Sequence, residues 1–270
     1  MIDILLPTYN GEKYIRKLID SIFGQSYTDW RLIIRDDGSK DNTVNIVKEY
    51  GSKYPDKILL IEDNLGNLGT SGSNDLLMHK TESDYFMFCD QDDIWEPNKI
   101  EECYKEMIRV EQQHPGVPVL VCSDACCIDE NDNLLYESFF ENQKFIDTTD
   151  NLYKMLALNI VQGSTTLMNA IVREVVKFIP KDYLHDAWVA CIVKYYGEVS
   201  YIHKPLLKYR QHLNNVLGAM NVGSRYELKK AGHLLAIARS YYQNFKRLPF
   251  QPSMALWVYY KLLINLKRCF

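Results

Sequence analysis

The sequence predicts an α/β fold, a mostly parallel sheet flanked by helices, with a helical C-terminal extension. Three observations predict it. Short apolar runs alternate with helical patterns from residue 1 to about residue 110. Loops rich in Gly, Asn and Asp follow the apolar runs. Residues 221–270 then turn basic, aromatic and apolar.

The elements follow in order. Ile2 to Leu6 is an apolar strand, and Pro7-Thr8-Tyr9-Asn10-Gly11 is a loop. Ile15, Leu18, Ile19, Ile22 and Phe23 share one helical face. Leu32-Ile33-Ile34 is the second strand, ended by Asp36-Asp37-Gly38-Ser39. Asp41-Asn42-Thr43 supplies capping oxygens for a helix over about Val44–Tyr50. Ile58 to Ile61 is the third strand, followed by a loop from Asn64 to Gly69 and a helix around Asn74–Met78. Tyr85 to Cys89 is the fourth, and a helix over Lys99–Val110 follows it. Alternation of this kind builds a parallel sheet covered on both faces, with ligands beyond the carboxyl ends of its strands. The second half is less regular. Val119 to Cys122 reads as a strand and residues 129–150 as a polar loop with aromatic interruptions, suited to a lid. Leu152–Leu158, Ala170–Phe178 and Trp188–Tyr196 read as helices, and the tail from Arg225 reads as helical with breaks near Pro249 and Pro252.

Of the 270 residues, 47% are apolar and 24% charged, enough for one globular domain plus an appendage. No run of eighteen apolar residues and no basic, hydrophobic leader occurs, so a cytoplasmic protein is expected. The seven cysteines form no Cys-x-x-Cys pair and lie mostly in apolar runs, as buried hydrophobes rather than zinc ligands or disulfides. The net charge of −4 is uneven: nine Lys/Arg and the single acid Glu227 give residues 221–270 a charge of +8, leaving −12 for residues 1–220. An acidic body excludes nucleic acid as the main partner.

The most informative motif is Asp90-Gln91-Asp92-Asp93, delivered by the fourth strand. Carboxylates so close repel one another unless a cation or proton intervenes. A hard divalent ion that shares its shell with phosphate oxygens and water meets that need. A solvated acidic turn capping the next helix is the alternative reading.

Pro7-Thr8-Tyr9-Asn10, Asp36-Asp37-Gly38-Ser39-Lys40-Asp41-Asn42-Thr43, Asn67-Leu68-Gly69 with Asn74, and Asp90-Gln91-Asp92-Asp93 together resemble family 2 glycosyltransferases. The resemblance covers roughly residues 1–218. It implies the GT-A fold, with a Rossmann-like nucleotide-sugar-binding half over about 1–115 and an acceptor-binding half over 116–218. Residues 219–270 remain as a tail. Asp90 to Trp95, with Tyr209-Arg210-Gln211-His212 and Asn214-Asn215, is most similar to the bacterial rhamnosyltransferase branch.

The resemblance also implies roles. Pro7, Thr8 and Tyr9 would line the nucleotide base, with Tyr9 stacked on it. Asp37 would accept the base imide hydrogen, supported by Asp36. Asn67, Gly69, Asn74 and Gln91 belong to the donor motifs, and Asp90 would touch ribose or sugar. Asp92 would hold Mn²⁺ or Mg²⁺ at the diphosphate, His212 would complete the metal shell, and Arg210 would neutralise phosphate. Asp93 has a supporting place in the motif. Asp186, in His185-Asp186-Ala187-Trp188, matches the catalytic base, which burial must make basic. Gln162, Gly163, His185 and Trp188 would face the acceptor, although Trp188 suits the core equally.

The expected function is inverting transfer of a sugar to an acceptor hydroxyl in bacterial cell-surface polysaccharide synthesis, with dTDP-L-rhamnose the leading donor. A UDP-sugar donor and a non-catalytic nucleotide-sugar-binding module are the alternatives. A nucleotidyltransferase lacks support, because the loop after the first strand has no Gly/Arg-rich phosphate cradle. A glycoside hydrolase needs carboxylates set farther apart than Asp90 and Asp92. The acceptor would be a glycan or lipid-linked saccharide. The basic, aromatic tail suits an anionic membrane surface, hence a peripheral location, or packing on the body or in a homodimer.

Overall fold

The computed structural model describes residues 1–212 and 242–269. The first half is four parallel strands with intervening helices. They are β1 (Ile2–Thr8), α1 (Ile15–Phe23), β2 (Trp30–Asp36), α2 (Thr43–Lys53), β3 (Ile58–Ile61), α3 (Gly69–Lys80) and β4 (Tyr85–Phe88). Strand β1 lies between β2 and β4, with Ile4 opposite both Leu32 and Met87. Its side chains alternate between two cores: Ile2, Ile4 and Leu6 pack with Leu18 and Ile22 of α1, whereas Leu5 packs with Leu77 and Met78 of α3. Burial on both faces explains why the stretch Ile2–Leu6 is apolar but for Asp3, which is itself buried and paired with Arg31 and Thr81.

The second half adds β5 (Ile94–Trp95), α4 (Lys99–Gln113), β6 (Val119–Ile128), β7 (Leu134–Tyr136), α5 (Phe139–Asn142) and α6 (Leu152–Ala157). A 3₁₀ turn (Gly163–Thr165), β8 (Leu167–Asn169), α7 (Ile171–Val175), α8 (His185–Tyr196), β9 (Glu198–Arg210) and α9 (Met254–Cys269) complete it. Among the described residues the sheet runs β3-β2-β1-β4-β8-β6-β9-β5, with β7 paired to β6. Strand β8 is antiparallel to β4 and β6, and β9 runs parallel to β6 and antiparallel to β5. The sheet is thus Rossmann-like and parallel in its first half and mixed in its second.

Residues 129–150 contain β7 and α5 rather than forming one irregular loop. The buried Asp124 carboxylate accepts hydrogen bonds from Ser138 Oγ at 2.5 Å and Phe140 N at 3.0 Å. Arg268 of α9 donates to the carbonyls of Gln143 and Lys144 at 2.7 and 3.1 Å. The tail helix also packs on the body: Trp257 and Ile264 are buried in the core, and Trp257 Nε1 donates to the Leu156 carbonyl at 3.1 Å. The helical expectation for residues 225–241 lies outside the described residues. Among the described residues no helix is long and apolar enough to cross a membrane. Cys89, Cys103, Cys122, Cys127 and Cys191 are buried free thiols, and Cys126 is half-buried.

Gly197 joins α8 to β9 so closely that a Cβ there would run into the Pro118 carbonyl and ring. Its backbone is extended, so crowding rather than strain selects glycine. Gly197→Ala is expected to cost about 2–3 kcal/mol of stability, read from chemical denaturation, because the β6–β9 register must shift to admit the methyl group.

Candidate active site

The acidic loop leaves β4 at the carboxyl edge of the sheet. Asp92 Oδ2 lies 2.7 Å from His212 Nε2, a contact between residues 120 apart in sequence. Strand β9 delivers that histidine, and its last link to β6 is Gln211 N donating to the Ile128 carbonyl at 2.8 Å. Asp90 is half-buried beside this pair. Burial, then the charge of Asp92, pushes its carboxyl up to about 6, and it also feels His185 and Asp186. Asp90 is therefore close enough to feel Asp92 on one hand and His185 and Asp186 on the other. Asp93 instead points inward: it is fully buried, accepts the Arg210 backbone amide at 3.1 Å, and burial raises its carboxyl well above the usual range.

Among the described residues no three His, Cys, Asp or Glu side chains form a closed metal cage. Asp92 and His212 offer one oxygen and one nitrogen. That donor set fits a Mn²⁺ or Mg²⁺ ion whose remaining ligands are phosphate oxygens and water.

The strand ends beside this loop carry the donor motifs. Pro7 is half-buried in β1, with Arg35 as its register partner. Thr8 Oγ1 donates to Asp36 Oδ1 at 2.9 Å. Asp36 also accepts from Gly38 N and Ser39 N at 3.0 and 2.8 Å and from Ser39 Oγ at 2.6 Å, so it fastens the loop. Asp37 is 4% exposed. Its Oδ1 accepts from Arg35, Leu68 N and Ser73, whereas among the described residues Oδ2 accepts only from Gly69 N at 2.8 Å, which leaves a lone pair for a ligand N–H. Asn67 bridges this loop through the Asp37 carbonyl at 3.0 Å and Gly69 N at 3.2 Å, and Gly69 takes φ +70°, where a side chain would be strained. Asn74 is fully buried and donates to the Thr70 carbonyl at 3.1 Å. Tyr9 presents an exposed ring. Its main chain is held by the Gln91 carboxamide, which donates to Tyr9 O and accepts from Tyr9 N, both at 2.9 Å. Gln91 thereby positions the first loop.

On the other side Asp186 lies in the first turn of α8, two residues past the cap position at Leu184. Its Oδ1 accepts from Ala187 N at 2.5 Å and its Oδ2 from Gly163 N at 3.2 Å. Burial outweighs these two amides and pushes the carboxyl up to about 6, a suitable value for a base near neutral pH. His185 is buried with its ring edge-on to Phe88 at 5.2 Å, and burial lowers its proton affinity. Gly163 fits against it because a Cβ there would meet His185 Nε2. Gln162, beside this glycine, is half-buried, and its carbonyl closes the 3₁₀ turn by accepting from Thr165 N at 3.0 Å.

Two expected contacts are corrected. Trp188 is 2% exposed and donates through Nε1 to the Phe178 carbonyl at 2.8 Å, so it belongs to the core rather than the acceptor surface. Arg210 is fully buried, and its guanidinium donates to the carbonyls of Asp92 and Asp129 at 2.8 and 3.0 Å and pairs with Asp132. It holds the acidic loop from beneath instead of meeting phosphate.

Sequence reasoning missed two buried cations. Arg35 bonds both Asp37 and Asp63 and so carries the nucleotide-side loop. Lys99 donates to the Ser164 carbonyl at 2.6 Å with its Nζ 3.2 Å from the Trp95 ring centre, and burial pulls it down to about 8. It ties the α4 start to the 3₁₀ turn beside Asp186. The available signal was a cation placed where an apolar pattern predicts burial.

The glycosyl transferase family 2 model matches residues 3–176. The dTDP-rhamnosyl transferase RfbG of Shigella flexneri is 30% identical over 240 residues, covering 84% of this chain and 78% of that protein. An uncharacterized glycosyltransferase of Rickettsia typhi is 27% identical over 242 residues, 88% of this chain and 73% of its own. Among solved structures, S. aureus TarS 1–349 in complex with UDP-GlcNAc superposes with a TM-score of 0.64 at 16% identity, covering 98% and 72% of the two chains. The Pyrobaculum calidifontis mannosyltransferase PcManGT, in complex with GDP-Man and Mn²⁺, gives 0.58 at 17%, covering 99% and 72%. These structural likenesses are of fold, which is GT-A. The family match spans the loops that carry Asp37, Asp90 and Asp92, the same loops that meet at the carboxyl edge of the sheet, and the chain belongs to glycosyl transferase family 2.

Proposed function

We propose that the chain is an inverting transferase that moves L-rhamnose from dTDP-L-rhamnose to an acceptor hydroxyl during bacterial cell-surface polysaccharide synthesis. The observation that carries the chemistry is Asp186, its carboxyl pushed up to about 6, near an acidic loop whose Asp90 feels both Asp186 and Asp92. The donor assignment is supported by the similarity to RfbG.

In this reading Tyr9 stacks on the base and the remaining lone pair of Asp37 Oδ2 receives the base imide hydrogen. Asp90 meets ribose or sugar. Asp92 and His212 would hold Mn²⁺ or Mg²⁺, which would supply charge stabilisation at the diphosphate. Asp186 takes the proton of the acceptor hydroxyl. The freed oxygen attacks the anomeric carbon from the face opposite the diphosphate, the C–O bond to the diphosphate breaks with its electron pair, and the configuration inverts. His185 and the Gln162–Gly163 turn border the acceptor.

Transfer or hydrolysis measured with dTDP-L-rhamnose, UDP-sugars and GDP-mannose, each with Mn²⁺, tests the reading. Turnover favouring dTDP-L-rhamnose by about tenfold or more, some 1.4 kcal/mol of discrimination, is the expected result. Preference for a UDP-sugar moves the donor to the alternative. No turnover with any donor, with nucleotide binding intact, reduces the chain to a binding module.

The acceptor is a glycan or lipid-linked saccharide. The exposed face of α9, with Leu256, Tyr259, Leu262 and Leu266, supports contact with an anionic membrane surface and a peripheral location. Flotation with anionic liposomes at low salt is expected. Failure to float, with a doubled mass in solution, would assign the same face to a homodimer.

A further inference from the structure

We infer that the β6–β7 turn, Arg210 and Tyr14 form a latch that positions His212 against Asp92 and so sets the affinity of the metal site. The inference rests on the reading of Asp92 and His212 as metal ligands.

His212 stands two residues past the end of β9, beyond the ladder that fixes the strand. Its ring lies against Tyr14, with centroids 5.4 Å apart and planes within 17°. The Tyr14 ring also takes the Arg210 guanidinium, at 4.6 Å from its centre. Arg210 in turn donates to the Asp92 carbonyl at 2.8 Å. One buried guanidinium therefore supports the backbone of one ligand and the ring that backs the other. The turn completes the arrangement. Asp132, held at φ +71°, pairs with both Arg210 and Lys17 of α1, and the Asp129 carbonyl accepts from Arg210 at 3.0 Å.

Exposed ion pairs contribute little, so the Lys17 contact is a minor part. The buried Arg210 is different, because loss of its acid leaves a desolvated charge that must find another arrangement. Side chains of this kind, which orient ligands without touching the ion, commonly change metal affinity by about 10- to 100-fold. Tyr14, Arg210 and Asp132 are accordingly positioning residues.

The test is Mn²⁺ affinity, measured by loss of the free-ion EPR signal with saturating dTDP and, separately, UDP, alongside the melting temperature of each variant. Tyr14→Leu is expected to weaken Mn²⁺ binding by about tenfold, whereas Tyr14→Phe, which keeps the ring, restores it to within about twofold. Asp132→Asn preserves the left-handed turn while removing the charge, and is expected to weaken binding in the same direction. It decides the matter if Tyr14→Leu does not fold. Parent-like Mn²⁺ affinity in Tyr14→Leu or in a folded Asp132→Asn, with His212→Ala impaired, overturns the latch. Parent-like affinity in His212→Ala overturns the metal reading itself.

Discussion

Asp186→Asn is expected to lower the transfer rate by about 10³-fold and to make the protein more stable at neutral pH. The rate loss follows if Asp186 is, as proposed, the group that accepts the acceptor proton, a role typically worth about 10²- to 10⁴-fold. The stability change follows from the same carboxyl. Burial raises it to about 6 from an ordinary 3.8, so the folded chain binds its proton more tightly than the unfolded chain does. That contribution to stability is complete below the unfolded value and is lost as pH rises through about 6. Above that pH the parent carries an ionised carboxylate in a half-buried site, and the amide does not. Each pH unit of displacement corresponds to about 1.4 kcal/mol; with the partial exposure of the site, the variant should gain about 1–2 kcal/mol at pH 8 relative to pH 4. The amide keeps an acceptor for Ala187 N and gives up the longer Gly163 contact, which takes back part of the gain. The parent's kcat/KM should rise with pH through about 6, and this limb should vanish in the variant. A stability difference independent of pH, or an unchanged acidic limb, would remove Asp186 from the role.

The elements legible in the sequence were those whose physics is local. Strands β1, β2 and β4 are buried along most of their length and β3 is a short edge strand, and all four appear as largely apolar runs ended by polar loops. Helix α1 shows a clean buried face in Ile15, Leu18, Ile19 and Ile22. Strands β5, β7 and β8 hold two or three residues each, too few to establish a period. Strand β9 is long, but its exposed middle and the register shifts opposite β6 break the alternation, and Pro205 reads as a stop. The second half therefore looked irregular although β6 and β9 carry the sheet through it.

The site divides along the same line. Asp90 and Asp92 were readable because a strand places both at one edge. The pairing of Asp92 with His212 depends on β9 running parallel to β6, a long-range fact that no local pattern records. Arg210 and Trp188 were misplaced for a related reason: a cation or an aromatic in a motif looks like a ligand contact until its burial is known. Arg35 and Lys99 show the converse, since charges inside apolar patterns signalled buried networks supporting Asp37 and the Asp186 turn.

Asp92→Asn is the second change with a large expected effect. Burial, and after it the charge of Asp92, makes Asp90 costly to ionise and pushes its carboxyl up to about 6. A divalent cation held by Asp92 and His212 would offset this cost, and a diphosphate would supply further oxygen ligands. Binding of metal and nucleotide should therefore be mutually dependent in the parent. At a ligand concentration of about 100 Kd the folded state gains about 2.7 kcal/mol, which for a chain of this size is about 5–10 °C in melting temperature. Addition of dTDP with Mn²⁺ should give a shift of that order, larger than the sum of the two added separately. In Asp92→Asn the excess should disappear, because an amide oxygen binds a hard cation far more weakly than a carboxylate does. Transfer at saturating Mn²⁺ should fall by about 10²- to 10³-fold, the loss expected when charge stabilisation at a leaving group is removed. The two readouts separate the explanations. Lost synergy with a lost rate assigns Asp92 to the metal. Retained synergy with a lost rate would make it a contact to the sugar, and His212 would then be a partner that orients Asp92 through their 2.7 Å bond.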